Sequence, residues 1–155
     1  MKKEGVIGLS CIAAILVIAV VFFLPKDLDR AMGSGFTLAE VTKIGAHLQP
    51  VQGGEALYVE LPAGEDAFVS LLTLLNDPHY SRTHVRGDQT EVTLPYSVIL
   101  VFANDESWAW EYHFSGGRLI EAGPTGSTKT YQVSGGQETQ EALLTFLLTQ
   151  AETAS

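Results

Sequence analysis

Nineteen uncharged residues run without interruption from Val6 to Leu24, behind Lys2 and Lys3 and ahead of Pro25-Lys26-Asp27. A helix of that length reaches roughly 28 Å, close to the hydrocarbon thickness of a bilayer. Being apolar on every side, it has no face to turn to water and does not suit the surface of a small soluble domain. The sequence therefore predicts a cytoplasmic N-terminus over 1–5, a transmembrane helix over 6–24, a linker over 25–36, a domain over 37–150 and a tail over 151–155.

A cleaved secretory signal would need a short apolar core followed by small residues. Here Phe22-Phe23-Leu24-Pro25-Lys26 follows, with no Ala-x-Ala pattern. A lipoprotein would place its cysteine at the end of the apolar core, whereas Cys11 lies near the start, after Gly8-Leu9-Ser10. The flanking bases tie, Lys2 and Lys3 against Lys26 and Arg30, and do not set the orientation. Nothing in the following domain resembles a cytoplasmic catalytic or nucleotide-binding unit. The expected location is the cell membrane, single-pass, with the C-terminal domain outside the cytoplasm.

Gly35-Phe36-Thr37-Leu38-Ala39-Glu40-Val41 matches the cleavage and assembly motif of type IV prepilins. In prepilins a long apolar helix follows the cut after the glycine. Here Thr42-Lys43-Ile44-Gly45-Ala46-His47 follows, and the apolar helix lies upstream. A pilin-like or secretion-system subunit is thus a second alternative to the main expectation.

From Ala31 to Ser155 there are fifteen Asp and Glu against five Lys and Arg, a net charge of −10. Such a surface repels nucleic acid and anionic headgroups, so neither is an expected partner. No cysteine lies outside the apolar block, which leaves the domain without a disulfide and dependent on its core.

Two segments carry a helical period. Between Glu65 and Asn76, residues Phe68, Leu71, Leu72 and Leu75 share one face, and Asn76-Asp77-Pro78 ends the helix. From Gln137 to Gln150, residues Leu143, Phe146, Leu147 and Gln150 repeat the spacing. Tyr96 to Ala103 is apolar on both faces and reads as a central strand. After Asn104-Asp105-Glu106-Ser107, a strand puts Trp108, Trp110, Tyr112 and Phe114 on one face and Ala109, Glu111 and His113 on the other. Ser115-Gly116-Gly117 turns the chain into Arg118 to Ala122, and Thr130 to Val133 supplies another strand.

Thr37 to Leu48 reads two ways. Thr37 and Glu40 could form a capping box ahead of a short helix, or Thr42, Ile44, Ala46 and Leu48 could alternate as a strand. Gly45 and the β-branched residues favour the strand, paired as a hairpin with Ala56 to Leu61. The expected class is α+β, in the order β-β-α-β-β-β-α, with an antiparallel sheet and two helices on one face.

The run Leu94-Pro95-Tyr96, Val98-Ile99-Leu100, Trp110-Glu111-Tyr112, Gly117-Arg118-Leu119-Ile120-Glu121 and Tyr131-Gln132-Val133 resembles a group of small extracytoplasmic domains of Gram-positive bacteria. They are held by a lipoprotein signal or a single membrane anchor. The resemblance, over about Leu57 to Leu148, implies an anchored α+β domain and carries over no enzymatic activity and no functional residues.

His79, His84, Glu111 and His113 are the candidate metal ligands, since imidazole and carboxylate both suit zinc. A spacing of two on a strand also arises on any solvated face. There is no Gly-x-Ser-x-Gly elbow, and Gly123 to Lys129 lacks the ending of a phosphate loop and leads into a strand. No cofactor and no catalytic residue is expected. Trp108, Trp110 and Tyr112 could hold a partner, as such aromatics do at interfaces, or form the face beneath the helices. The function expected is a non-enzymatic binding module for an envelope protein, a peptide or a cell-wall ligand. A metal-dependent envelope hydrolase is the alternative.

Overall fold

Alternating apolar residues punctuated by turn-forming glycines build a seven-stranded antiparallel sheet in the computed structural model. It describes residues 3–32, 37–84, 93–104, 108–116, 119–124 and 128–153, with the side chains of 3–11, 22, 93, 108, 109, 115 and 116 outside that description. In chain order the elements are α1 (Lys3–Phe23), α2 (Leu28–Met32), a 3-10 turn (Leu38–Glu40), β1 (Lys43–Pro50), β2 (Leu57–Pro62), α3 (Asp66–Asn76), β3 (Tyr80–Arg82), β4 (Thr93–Ala103), β5 (Trp108–Gly116), β6 (Leu119–Pro124), β7 (Lys129–Val133) and α4 (Gln137–Thr153). Across the sheet the strands run β2-β1-β4-β5-β6-β7-β3.

The α+β class holds, but the expected order β-β-α-β-β-β-α is short of strands. The two strands read at 118–122 and 130–133, one more than that order counts, are β6, described from Leu119, and β7, and Tyr80–Arg82 adds the edge strand β3. Three residues are too few to show a period of two, which is why β3 leaves no trace in the pattern.

Register sorts the sheet into two faces. Ile44, Phe102 and Trp110 lie side by side on β1, β4 and β5, as do Ala46, Leu100 and Tyr112, then Leu48, Val98 and Phe114. All nine are buried. Over them pack Phe68, Leu71 and Leu75 of α3 and Leu143, Leu144 and Leu147 of α4, in one continuous core.

In α3 the expected face is the buried one, with Leu72 half-buried at its margin and Glu65 extended at the N-cap. In α4 the face is rotated from the expected one. Gln140, Leu143, Leu144, Leu147 and Ala151 are buried, whereas Phe146 and Gln150 are only half-buried. The buried amide of Gln140 donates to the carbonyl of Leu119 at 2.9 Å, an exchange that a hydrophobic period cannot signal. Gly135 enters α4 at φ +74°, where a Cβ would also lie 2.5 Å from Thr139 Oγ1.

For residues 37 to 48 both readings hold in part. Glu40 accepts from the Thr37 amide at 3.2 Å around one 3-10 turn, and β1 then forms the preferred hairpin with β2. The span Leu38–Pro50 is therefore turn and strand, not the long helix that a prepilin places there; Gly35 and Phe36 lie outside the described residues.

The segment 25–36, expected as a linker, is instead part of the domain from Lys26 to Met32. Lys26 pairs with Tyr80 on the free edge of β3. Leu28, Ala31 and Met32 of α2 are buried, and the Tyr131 hydroxyl donates to the Ala31 carbonyl at 3.1 Å. The tail is shorter than expected as well, since α4 runs on to Thr153 with Ala151 buried.

Among the described residues, no helix is long and apolar enough to cross a membrane. The described side chains of α1 begin at Ile12, and every residue from Ile12 to Val21 is exposed.

The open sheet face as candidate functional site

Three helices pack on one face of the sheet, and among the described residues no helix covers the opposite face. Register places Tyr58, His47, Ile99, His113, Glu121 and Thr130 in one row across β2, β1, β4, β5, β6 and β7. The next row holds Glu60, Gly45, Val101, Glu111 and Gly123. The strand period of two makes these rows: each residue alternates with a buried neighbour, as His47 does between Ala46 and Leu48.

At the β2 side, the His47 and Tyr58 rings pack at 4.7 Å, tilted by 56°. The Tyr58 ring lies over Gly45, where a Cβ would sit 3.1 Å from its hydroxyl oxygen. That hydroxyl donates to Glu60 at 3.1 Å, and Glu60 also pairs with Lys43 at 3.4 Å. Partial burial raises the Tyr58 pKa above its ordinary value, and the Glu60 carboxylate adds to the rise. Beside them a groove of about 530 Å³ is lined by His47, Gln49, Ala56, Ser97, Ile99 and Val101. Its floor is aliphatic and its walls carry an imidazole, an amide and a hydroxyl, the mixture that orients a ligand in an apolar slot.

Two strands further on, Glu111 and His113 do point the same way, with Nε2 of His113 3.0 Å from Oε2 of Glu111. The other two candidate ligands are elsewhere. His79 and His84 flank β3, three strand spacings or roughly 14 Å from β5. His79 is tied through its backbone amide to Ser134 Oγ at 2.7 Å, and the His84 ring meets Phe23 edge-on at 6.0 Å. The four-residue metal candidate is thus split in two. Among the described residues, no group of three or more His, Cys, Asp or Glu could hold a metal ion.

The aromatic candidates are corrected too. Trp110 and Tyr112 are 1% and 0% exposed, on the face beneath the helices, so neither can receive a partner. The side chain of Trp108 lies outside the described residues. Trp110, Tyr112 and Phe114 are core residues, and Tyr112 packs edge-on against Phe114 at 6.0 Å and against Tyr80 at 6.2 Å. Burial pushes the Tyr80 and Tyr112 hydroxyls well above the usual tyrosine value. Tyr80 donates to the Leu75 carbonyl. The Tyr112 hydroxyl is close enough to that of Tyr80 to influence its ionisation, yet reaches no partner at hydrogen-bond geometry.

His47, Tyr58, Ile99 and Val101 were not singled out by sequence reasoning. The preferred hairpin does place His47 opposite the buried Ala46 and Leu48, but its neighbours on the face come from strands 11 to 52 residues away in sequence and need the register.

With neutral imidazoles, the charges on this face are Lys43 against Glu60, Glu111 and Glu121, a net negative surface. The arrangement can hold a ligand by stacking, by apolar contact and by charge. No family model matches the chain, and neither curated proteins nor solved structures give a match.

Proposed function

We propose that this protein is a single-pass, membrane-anchored extracytoplasmic binding module, and that its open sheet face receives an envelope peptide or protein. The observation that carries the binding reading is the one-sided covering of the sheet. α2, α3 and α4 bury one face, while the other keeps a groove beside His47, Tyr58, Ile99 and Val101. A domain that needed only stability would gain from covering these aliphatic side chains.

The anchor reading is supported by the uncharged run Val6 to Leu24, which begins ahead of the described side chains, and by the exposure of every residue from Ile12 to Val21. Apolar side chains exposed along that stretch gain nothing in water, whereas lipid supplies apolar surroundings and leaves the helix's backbone bonds satisfied. The extracytoplasmic location agrees with the resemblance to anchored domains of Gram-positive bacteria.

Ile99→Asp puts a carboxylate on the floor of the groove without touching the core. It should abolish capture of the envelope ligand and leave the fold intact, as judged by circular dichroism. Unchanged capture would reject the face.

A further inference from the structure

The acidic net charge of the chain conceals a local cluster of bases. Pairing of Arg82 with Tyr131 gathers Arg82, His84 and Lys129 at the β3–β7 edge of the sheet. Among the described residues after Met32, two of the three Lys and Arg lie there, Arg82 and Lys129, and the third, Lys43, is on β1. The same edge carries the root of α1. Phe23 meets the His84 ring at 6.0 Å, the Thr83 amide donates to the Thr130 carbonyl at 3.0 Å, and Lys26 pairs with Tyr80. Lys129 is exposed, Arg82 lies on β3 opposite Tyr131, two residues from Lys129, and His84 is exposed beside them. The acids beside this root are engaged locally: Asp27 accepts from the Arg30 amide at 2.8 Å and faces its guanidinium at 3.8 Å, and Asp29 accepts from the Leu38 amide at 2.7 Å.

We propose that this corner is a second membrane contact, in which Lys129, Arg82 and Lys26 lie against anionic lipid headgroups. The proposal rests on the anchor reading above. If residues 6–24 cross the bilayer, the boundary falls near Phe23 and Leu24, at the end of the uncharged run and just ahead of Lys26. The root is stapled to the sheet instead of being a loose tether. Lys26 and Tyr80 exchange backbone bonds at 3.0 and 2.7 Å, Leu28 is fully buried, and Tyr131 holds Ala31. The domain therefore cannot turn freely about its anchor, and the basic corner stays within a Debye length of the headgroups, about 8 Å at physiological salt. Without Arg82 and Lys129 the residues from Ala31 to Ser155 carry a net charge of −12, which turns the rest of the domain away from the surface.

The test uses the full chain in nanodiscs of phosphatidylcholine, alone or mixed with phosphatidylglycerol. A water-soluble acylating reagent labels exposed lysines, read residue by residue by mass spectrometry. Lys129 and Lys26 should label about fivefold more slowly in the anionic discs, the equivalent of ~1 kcal/mol per basic side chain at such a surface. Lys43, four strands from Lys129 and paired with Glu60, should keep its rate. Added salt should erase the difference. Lys129→Glu, an exposed change outside the core, should return the Lys26 rate toward its value in phosphatidylcholine. Equal labelling of Lys129 in both discs, with a chain that resists alkaline extraction, overturns the headgroup contact and leaves the anchor standing. A chain that alkali extracts overturns both.

Discussion

Lys26 and Tyr80 pair through both backbone hydrogen bonds, so the chain leaving α1 becomes an eighth, one-residue partner on the free edge of β3. An unpaired edge invites association with other chains, and this bridge occupies one side of the sheet. It also makes the residues after α1 a load path from that helix into the core.

That root should be costly to disturb. Leu28 has no exposed surface, so Leu28→Ala should destabilise the domain by about 2–5 kcal/mol through lost burial and a residual cavity. Tyr131→Phe should cost about 1–2 kcal/mol, because the Ala31 carbonyl loses its donor in a buried position. Urea unfolding of the full chain in detergent, followed by tryptophan fluorescence, measures both.

Alkali should weaken the fold through its buried tyrosines. Burial holds Tyr80 and Tyr112 neutral above the pH at which the unfolded chain ionises them, so the unfolded state loses protons first. Stability is then fully present below about pH 10 and falls as pH rises beyond it. Tyr112→Phe removes a hydroxyl without a hydrogen-bond partner, so it should be neutral or slightly stabilising at pH 7 and should shift alkaline unfolding upward. Tyr80→Phe also removes a titrating group but sacrifices the bond to Leu75, and should lose about 1 kcal/mol at pH 7. Denaturation curves at several pH values separate the two.

On the open face, the Tyr58 hydroxyl reports on its surroundings. Glu60→Gln removes the nearby charge, and the Tyr58 titration should move part of the way back toward its ordinary value, the contribution of burial remaining. Gly45→Ala brings a methyl against the Tyr58 hydroxyl end, which is free to move outward. Stability should change by under about 1 kcal/mol while the His47 and Tyr58 packing is lost. Ultraviolet titration and ring-current shifts read these changes.

The N-terminus has its own test. Protein isolated from membranes should retain residues 6–24, carry no lipid on Cys11 and show no cut between Gly35 and Phe36. An intact mass distinguishes this form from a cleaved signal, a lipoprotein and a processed prepilin.

Local patterns were legible where one face alone decides the outcome. Phe68, Leu71 and Leu75 announce α3, and the doubly apolar stretch Val98 to Phe102 announces a central strand. Leu28, Ala31 and Met32 also stand at i, i+3 and i+4, but a single turn carries too little signal to separate from a linker. On β5 the alternation was readable, and only the helices above it decide that Trp110 and Tyr112 go inward. The pairing of Glu111 with His113 could be read from adjacency. The neighbourhood of His47, Ile99 and His113 depends on the register of three strands, which no local period encodes.

The central claim is tested most directly by a photocrosslinker placed at Ile99 in the full chain within cells, with Thr145 on the exposed side of α4 as control. The account predicts a discrete adduct from Ile99 that is absent from Thr145 and disappears when Tyr58→Ala is added. Equal adducts at both positions, or none at Ile99, would contradict it.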